Sequence, residues 1–352
     1  MPDITQQLEA QVLAAKESKI KLNIVGGNSK HFLGREPDGE PLNMSEHSGI
    51  VDYQPVELVL TARAGTSLKE IEAALDEKGQ MLAFEPPHLG ETDTLGGTLA
   101  CNLSGPSRPW GGSIRDHVLG VRLINGRGEH LRFGGQVMKN VAGYDVSRLQ
   151  AGAMGTLGAI TEVSLKVLPK HAHSVTIAED MSAEEAVHLM NERSGVAKPL
   201  TAACWIDGTM YLRLAGAKSA VEATLNQWSG EQIDHADTFW QTLRDQQNAF
   251  FKSKQMLWRF SINPTVNLPF DQADQLIDWG GAQCWYRGDA LFGEMQAFAS
   301  AAGGQATLYR GGNRAEEVFH DQPEALKRIQ TRLKQSFDPD GIFNSGRLYS
   351  WL

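Results

Sequence analysis

The first apolar strand of the chain runs directly into a glycine-rich loop, and together they read Leu22-Asn23-Ile24-Val25-Gly26-Gly27-Asn28-Ser29-Lys30-His31. Glycine allows positive φ and a close approach of the main chain to a ligand, so successive N–H groups can converge on phosphate oxygens. Ser29 adds a hydroxyl group and Lys30 adds a positive charge. The loop is therefore predicted to hold a pyrophosphate.

This loop matches neither of the common nucleotide-binding motifs. A Walker A loop places four residues between its first glycine and a Gly-Lys-Ser/Thr triplet, and a Rossmann loop enters a helix through GxGxxG. A plain tight turn is therefore the simpler interpretation of the loop when it is taken alone.

Two more segments of the N-terminal half combine glycines with small residues. In residues 93–105, a flat ring could lie over the small side chains, and the hydroxyls of Thr94 and Ser104 could bond ribityl or phosphate oxygens. Residues 139–161 end where a loop becomes a strand, and the fixed backbone groups there suit recognition of an adenine edge. Each segment alone is also compatible with a surface loop or a strand entry. Three such segments in this order favour one extended dinucleotide as the ligand.

The composition is that of an ordinary globular protein. The chain has 352 residues, of which 41% are hydrophobic and 21% are charged, and this length is sufficient for two cores. Its formal net charge is -9, whereas proteins that bind nucleic acid gather Lys and Arg on one face. We expect two domains and no nucleic-acid partner.

Metal and hydrolytic chemistry are not indicated by the sequence. The three cysteines are far apart and form no CxxC pair, so we expect reduced thiols in a reducing compartment. The ten histidines include no HExxH motif and no grouping with carboxylates, and no GxSxG sequence occurs. Charged residues interrupt the N-terminal apolar pattern, and no apolar run is long enough to span a bilayer. The protein is expected in the cytoplasm, with no metal site.

Hydrophobic periodicity predicts alternating helices and strands. In the first half, helical spacing covers 4–15, and Ser67 with Glu70 forms a capping box before a second helix. Pro169 marks a domain boundary. The pattern beyond it indicates an antiparallel sheet covered by helices on one face. The remaining predicted strands are 56–64, 81–84, 160–168, 174–178, 257–262 and 283–286, with hairpins over 118–133 and at 207–208 and helices after Ser182 and over 220–228, 290–301 and 323–337.

The order of the glycine-bearing motifs resembles the vanillyl-alcohol-oxidase type of FAD-binding flavoproteins, with a PCMH-type FAD-binding domain. Within that type, the chain is similar to the family of FAD-binding E subunits of bacterial glycolate oxidases over nearly its whole length. The motifs that carry the resemblance are residues 26–29, 94–100, 112–120, 155–161 and 338–347, and the most specific are Glu-Pro-Pro-His at 85–88, Ser-Arg-Pro-Trp at 107–110 and Phe-Gly-Gly-Gln-Val-Met-Lys-Asn-Val-Ala-Gly-Tyr-Asp at 133–145.

The resemblance implies an α+β fold and FAD as the cofactor. An FAD-binding domain of two α/β subdomains would cover 1–170, and a smaller cap with a helix-covered antiparallel sheet would cover 171–304. A C-terminal segment, 305–352, would return to the FAD domain. Matched by motif, the cofactor-binding residues would be Gly26, Gly27, Asn28, Ser29 and Lys30 at the pyrophosphate, Asp93, Thr94, Gly96, Gly97, Cys101, Ser104 and Gly105 at the flavin and ribityl chain, and Gly158, Ile160 and Thr161 at the adenine side.

The resemblance also implies a reaction and partners. Glycolate, a small 2-hydroxy acid, would be oxidised to glyoxylate by hydride transfer from its α carbon to flavin N5. Electrons would pass through an iron–sulfur subunit towards quinone, and a second, larger FAD-binding subunit would complete the complex. This protein would lie at the inner membrane only through those partners.

Three departures from the family pattern bear on mechanism. Asn28 stands where members with covalently attached flavin often carry histidine, so the FAD is expected to be non-covalent. No His-x-Gly-Asp-Gly-Asn-like string follows residue 170, which leaves open whether the active site lies in the larger partner. Ser345 replaces the usual proline of an Asn-Pro-Gly-Arg motif and leaves Arg347 free to meet an anion.

Three interpretations of function follow. The first is an FAD-dependent oxidoreductase subunit that takes part in 2-hydroxy-acid oxidation, and the alternative is a structural or electron-relay subunit whose flavin never meets substrate. A nicotinamide-dependent Rossmann enzyme is disfavoured because GxGxxG and the acidic residue about twenty positions later are missing. No catalytic residue is assigned, since Arg259, Arg310 and Arg347 could each bind a carboxylate.

Overall fold

The structure of the protein, a computed structural model, describes residues 3–135 and 145–352. Most of the 133–145 motif, residues 136–144, lies outside the described residues. The predicted α+β fold is confirmed. Among the described residues, no helix combines the length and the apolar character needed to traverse a bilayer.

The first domain combines a small parallel pair of strands with a larger antiparallel sheet. Its helices are α1 (Thr5–Ser18), α2 (Leu68–Asp76), α3 (Leu95–Cys101), α4 (Arg108–Gly111), α5 (Ile114–His117) and α6 (Val146–Leu149), and its strands are β1 (Leu22–Val25), β2 (Glu40–Asn43), β3 (Ile50–Gln54), β4 (Val59–Arg63), β5 (Gln80–Met81), β6 (Val118–Ile124), β7 (His130–Gly134), β8 (Ala159–Lys166) and β9 (Leu168–Pro169).

Each of these sheets has its own apolar core. The five-stranded sheet has the order β3-β4-β8-β6-β7, and α2, α3 and α5 cover it through residues such as Leu68, Leu99 and Ile114. The parallel pair β1–β2 packs with α1 through Leu8 and Val12. Strand β1 leads straight into the glycine-rich loop, so the loop starts from a fixed position.

The second domain is one eight-stranded sheet with helices on both faces. Its strands have the order β13-β10-β12-β11-β15-β16-β14-β17, and neighbouring strands are antiparallel. The elements beyond Pro169 are β10 (His173–Asp180), α7 (Ala183–Ser194), β11 (Leu200–Ile206), β12 (Thr209–Gly216), α8 (Lys218–Leu225), β13 (Glu231–Gln232), α9 (Ala236–Arg244), β14 (Leu257–Ser261), β15 (Gln275–Asp278), β16 (Gln283–Arg287), α10 (Phe292–Ala301), β17 (Gln305–Arg310) and α11 (Glu324–Phe337). Helices α7, α8 and α10 cover one face as predicted, whereas α9 packs on the other through Trp240 and Leu243.

The large sheet buries both of its faces. On β11, Ala203 and Trp205 belong to the core under α7, α8 and α10, whereas Cys204 and Ile206 belong to a core shared with the first domain. This alternation follows from the two-residue period of a strand. The unbroken apolar run of β11 is therefore that of a strand covered on both sides.

Local sequence signals account for the starts of two predicted helices. The Ser67 side chain accepts a hydrogen bond from the Glu70 N–H and begins α2, and Ser182 forms a reciprocal capping box with Glu185 at the start of α7. The predicted hairpins are confirmed as β6–β7 and β11–β12, the second turning at Asp207 with φ 50°.

Two predicted elements differ from the structure. Residues 81–84 were expected to form a strand, but only Gln80–Met81 pairs, because Phe84 turns into the core and Glu85 takes φ 45° before the two prolines. The supposed loop 93–105 contains helix α3, which Thr94 caps by accepting from the Gly97 N–H. The domain boundaries at 170 and 304 remain a proposal, and β17 pairs with β14 in the second sheet.

The last residues of the chain fold back onto its first strand. The Leu22 N–H donates to the Ile342 carbonyl, and the Asn344 N–H donates to the Leu22 carbonyl. Lys334 holds this return segment, because its buried ammonium donates to the carbonyls of Thr156 (2.8 Å) and Phe343 (2.7 Å) and pairs with the Asp338 carboxylate (2.7 Å).

Replacing this buried ammonium tests how far the return segment supports the fold. Lys334→Met leaves the Asp338 carboxylate buried without its cation, so the free energy of unfolding in urea should fall by roughly 3–5 kcal/mol. Lys327→Met on the same helix removes a partly exposed lysine that pairs with the exposed Asp321, and it should leave the unfolding midpoint nearly unchanged. Equal midpoints for the two variants would contradict this role of Lys334.

A second contact joins the two domains at the end of β15. The Trp279 indole N–H donates to the Gly105 carbonyl (2.9 Å), and the Arg108 guanidinium lies 4.5 Å from the centre of the Trp279 ring. The Asp278 carboxylate accepts from the Trp279 backbone N–H (2.7 Å). Burial raises the pKa of Asp278 to about 7 despite this hydrogen bond.

The raised pKa of Asp278 makes stability depend on pH. Between the ordinary carboxyl pKa of about 4 and about 7, the folded chain binds a proton that the unfolded chain does not, so stability falls as pH rises through 7. Asp278→Asn removes this loss, and its melting temperature should exceed that of the unaltered chain at pH 8 more than at pH 5. Asp207→Asn, in the exposed hairpin turn, should follow the unaltered chain throughout. A constant difference between Asp278→Asn and the unaltered chain across this range would refute the assignment.

Candidate functional site

A cavity of about 690 Å³ lies over the glycine-rich loop. Most of its lining residues come from five separated parts of the chain, and Met44 and Ala64 complete the walls; the five parts are residues 23–37, 94–101, 154–160, 311–314 and 344–347.

The loop presents a row of free backbone donors to this cavity. Within the described residues, no acceptor is bonded to the N–H groups of residues 26–30. The residue with positive φ is Asn28 (57°), while Gly26 and Gly27 are needed for space. A Cβ on Gly27 would overlap the Thr92 carbonyl oxygen, and one on Gly26 would lie 2.7 Å from the Thr94 hydroxyl oxygen. The loop can therefore approach an anion with backbone alone.

The Lys30 side chain forms an ion pair beneath the loop. Its ammonium and the Ser29 hydroxyl both bond the buried Asp93 carboxylate, which also accepts from the Gly90 N–H (3.0 Å). Burial would raise the pKa of Asp93, but Lys30, Ser29 and Gly90 together hold it below its usual value. This ion pair fixes the shape of the loop and neutralises most of the lysine charge locally.

Helix α3 and the start of β8 form the facing walls. Gly96 packs so closely on β4 that an added Cβ would lie 2.7 Å from the Ala64 Cβ, and its N–H donates to the Ala64 carbonyl. Gly158 and Ile160 line the cavity, whereas the Thr161 hydroxyl bonds His130 Nε2 (2.8 Å) on the opposite face of the sheet. The two-residue period of β8 separates these neighbours.

A second cavity of about 400 Å³ adjoins the first, and Cys101 and Met154 line both. It lies between the two domains, with Asn102 and Gln330 in its walls. The amide oxygens Asn102 Oδ1 and Gln330 Oε1 are buried without a hydrogen-bond partner in the described part of the chain. Orphaned buried acceptors of this kind are typical of a site that a polar ligand completes.

The structure gathers most of the sequence-predicted residues at one place. Asp93 lies behind the loop, Ser104 and Gly105 line a separate cavity of about 20 Å³, and Thr161 lies across the sheet. The predicted residues that line the first cavity are Gly26, Gly27, Asn28, Ser29, Lys30, Thr94, Gly96, Gly97, Cys101, Gly158 and Ile160.

The three arginines that sequence reasoning could not separate have different surroundings. Arg310 donates to the Phe251 carbonyl and to Gln246, and Arg347 donates to the carbonyls of Arg35 and His31. The guanidinium of Arg259 makes no hydrogen bond and no ion pair within the described residues, although the backbone of Arg259 is paired in strand β14, and the residue lines the second cavity. Burial lowers the pKa of its guanidinium because it disfavours the charged form, and a bound anion would stabilise that charged form.

Sequence reasoning missed Arg314. It lines the first cavity and donates through Nη1 to the Leu308 carbonyl (2.7 Å), while Nη2 is buried without a partner in the described residues. Burial and the nearby Arg347 lower its pKa to about 10. The signal that could have found it is the triplet Gly311-Gly312-Asn313, which repeats Gly26-Gly27-Asn28 immediately before this arginine.

These features fit FAD. Free amides at residues 26–30 and the orphaned Nη2 of Arg314 suit a diphosphate, and the adjoining interdomain cavity offers room and unpaired polar groups for a ring system. Where the chain is described, no three His, Cys, Asp or Glu side chains are grouped as a metal ion would require.

Comparison with known proteins agrees with this geometry. The family described as FAD binding domain matches residues 1–134. Glycolate oxidase subunit GlcE of Escherichia coli (strain K12) is 46% identical, over 99% of both chains. Glycolate oxidase subunit GlcD of Bacillus subtilis (strain 168) is 33% identical over 34% of this chain and 26% of its own.

A solved structure, alkyldihydroxyacetonephosphate synthase, has a TM-score of 0.68 with 16% identity over 97% of this chain and 75% of its own, which supports the fold alone. The resemblance to FAD-binding flavoproteins, the prediction of FAD as cofactor and the prediction of an oxidoreductase subunit are confirmed. The chain belongs to the family of the glycolate oxidase subunit GlcE and carries an FAD binding domain at its N-terminal end.

Proposed function

We propose that this chain is the smaller FAD-binding subunit of a complex that oxidises glycolate to glyoxylate. The observation that carries the proposal is the pair of adjoining cavities, with backbone amides at one end and the guanidinium of Arg259 at the other, neither of which has a hydrogen-bond partner among the described residues. A phosphate-bearing cofactor and a carboxylate-bearing substrate are the two ligands that these ends suit.

The first cavity would hold the phosphates of FAD. The amides of residues 26–30 and Nη2 of Arg314 would donate to the diphosphate, and Gly158 and Ile160 would border the adenine side. The ring system would extend past Cys101 and Met154 into the second cavity. Bound there, FAD would supply the acceptor for the hydride of the substrate.

Non-covalent binding is proposed on the chemistry of the residues near the loop. Asn28 occupies the position of the covalent histidine in related flavoproteins, and an amide side chain forms no such link. Cys101 borders both cavities, but burial raises the pKa of its thiol, so the nucleophilic thiolate is scarce. His31 is tied through Nδ1 to the Asn28 carbonyl (2.9 Å).

Arg259 is the residue we propose for the substrate carboxylate. Its guanidinium lies 5.9 Å from the centre of the Tyr309 ring, inside the cavity that separates the two domains. A planar guanidinium can bind a carboxylate through two hydrogen bonds, which would orient the α carbon of glycolate. Arg310 and Arg347 already donate to backbone carbonyls, and they would keep the cavity walls in position.

The electron-relay alternative also has support from one observation. The described residues that line the second cavity include no histidine, aspartate or glutamate, so no side chain there is suited to remove the hydroxyl proton at neutral pH. A subunit without such a base would pass electrons while a larger FAD-binding subunit oxidised the substrate. In both versions we propose an iron–sulfur subunit and quinone beyond the flavin, and a cytoplasmic complex that meets the inner membrane through its partners.

The first test concerns the cofactor. We expect a yellow protein whose FAD appears in the supernatant after acid precipitation, and Arg314→Met should raise the Kd for FAD roughly 10- to 100-fold because a charge-assisted hydrogen bond is lost. Arg314→Lys keeps the charge and should lie between the two. Flavin that stays in the pellet would refute non-covalent binding, and an unchanged Kd would refute the role of Arg314.

The second test concerns the substrate. Under anaerobic conditions, glycolate should bleach the flavin of the purified chain, and Arg259→Met should slow the bleaching roughly 10- to 100-fold because the carboxylate loses its partner. Arg259→Lys, which keeps a positive charge, should recover part of the rate. Bleaching of the assembled complex but not of the single chain would favour the relay alternative.

A further inference from the structure

Two buried tyrosines, Tyr309 and Tyr349, line the second cavity and differ in their hydrogen bonds. The Tyr349 hydroxyl accepts from the Gln322 side-chain amide (3.0 Å) and donates to the His320 carbonyl (3.1 Å). The Tyr309 hydroxyl likewise accepts from the Gln246 side-chain amide (2.7 Å), but its own hydrogen has no acceptor among the described residues. A hydroxyl group can donate once while it accepts, so Tyr309 keeps one unused donor in a buried position.

Arg310 fixes the direction of the hydrogen bond between Gln246 and Tyr309. A guanidinium group has donors only, so Nη2 of Arg310, 2.8 Å from the Gln246 side chain, must face its oxygen. The amide nitrogen of Gln246 then faces Tyr309 and can only donate to it. Arg310 is itself held by the Phe251 carbonyl (2.8 Å). Because the glutamine cannot accept the tyrosine proton, that proton is available to a ligand.

The packing of the Tyr309 ring keeps the hydroxyl in one position and protonated. The rings of Phe32 and Trp285 meet it edge to face, with centres 5.5 Å and 4.8 Å from its own. Burial raises the pKa of Tyr309 to about 12, although the hydrogen bond from Gln246 and the charge of Arg259 oppose that rise. At neutral pH the hydroxyl is therefore a donor and not a base.

Tyr309 and Arg259 lie where the second cavity adjoins the small cavity of about 20 Å³, and both residues line both cavities. The Arg259 guanidinium, 5.9 Å from the centre of the Tyr309 ring, is the other donor without an acceptor among the described residues. The Ser104 hydroxyl also lines the small cavity and is buried with no partner in the described part of the chain. The small cavity has room for about one water-sized group, so these three polar groups surround a space that suits one end of an anion.

The other charged residues that line the small cavity leave room for an anion. Arg244 is paired with Asp245 through two hydrogen bonds (2.7 Å and 2.9 Å). Asp278 accepts from the Trp279 N–H, and its pKa of about 7 leaves a large fraction of this carboxyl uncharged at neutral pH. Of the lining residues that the structure describes, Arg259 is therefore the cation without an ion-pair partner.

We propose that Tyr309 is a second donor to the substrate carboxylate beside Arg259, and that Gln246 and Arg310 are positioning residues that keep the Tyr309 proton available to it. This inference rests on the proposed function, because its ligand is the substrate proposed there. Arg259 and Tyr309 belong to the neighbouring strands β14 and β17, so the two donors are held rigidly relative to each other. A ligand without a carboxylate leaves both donors unpaired and is rejected.

The first experiment measures ligand binding without turnover. The purified chain, loaded with FAD, is titrated with oxalate, a carboxylate with no hydrogen on carbon to transfer, and followed by calorimetry. Tyr309→Phe keeps the ring and removes the hydroxyl, so the Kd for oxalate should rise roughly 10- to 100-fold through loss of a hydrogen bond to a charged group. Tyr53→Phe removes a hydroxyl that donates to Gln80 (2.7 Å) in the first domain, and it should bind oxalate like the unaltered chain.

The second experiment tests the positioning role. Gln246→Glu preserves the shape of the side chain and a partner for Arg310, but its carboxylate accepts the Tyr309 proton and withdraws it from the ligand. The Kd for oxalate should rise about as much as in Tyr309→Phe. In the Tyr309→Phe background the same substitution should change the Kd much less, because the proton is already absent. An equal effect in both backgrounds would overturn the positioning role, since added negative charge alone acts in both.

FAD content and melting temperature, measured in every variant, separate ligand binding from folding. An unchanged Kd for oxalate in Tyr309→Phe would overturn the role of Tyr309 and leave the proposed function intact. Failure of the unaltered, FAD-loaded chain to bind oxalate would overturn this inference, while glycolate oxidation by the assembled complex would keep the proposed function in its electron-relay version. A chain that binds no FAD, or a complex that does not oxidise glycolate, would refute the proposed function itself.

Discussion

The candidate site depends on the pairing of the first strand with the last residues of the chain. Leu22 and Asn344 exchange backbone contacts across the molecule, and the Ile24 N–H donates to the Asn344 side chain (2.7 Å). The glycine-rich loop begins two residues after Ile24, so its position is set by a segment more than 300 residues away. Lys334 secures that segment from below through three hydrogen bonds. The cavity therefore requires both ends of the chain to be in place.

Because the first strand pairs with the C-terminal segment, both ends of the chain contribute to one anion site. Residues 26–30 offer amides from one wall, and Arg314 and Arg347 come from the last forty residues. The two guanidinium groups differ in their hydrogen bonds. Arg347 donates to the carbonyls of Arg35 and His31, while Nη2 of Arg314 is buried without a partner among the described residues. A diphosphate held by amides and one guanidinium needs little net positive charge, which is consistent with an acidic protein.

The sequence predicts the elements better than it predicts the site. Capping residues such as Ser67 and Ser182 act over three or four positions, so their effect is readable locally. By contrast, the pairing of Lys30 with Asp93 joins residues 63 positions apart, and no local pattern reveals it. Helix α3 was not predicted, and a surface loop was left open for its residues; two glycines disfavour a helix, yet the close packing of Gly96 on Ala64 requires glycine there. The choice among Arg259, Arg310 and Arg347 likewise depends on which carbonyls the fold brings near each guanidinium.

The distribution of chemistry around the second cavity bears on the division of labour in the proposed complex. As far as the chain is described, the wall of this cavity has an arginine and several aromatic and aliphatic groups but no histidine, aspartate or glutamate, so it can bind an anion without being equipped to remove a proton. The same cavity opens between the two domains, so a partner docked over its mouth would approach the cavity directly. That partner would be placed to supply the base that removes the hydroxyl proton of the substrate. The two interpretations therefore differ in whether a partner completes this site with a base or oxidises the substrate at its own flavin.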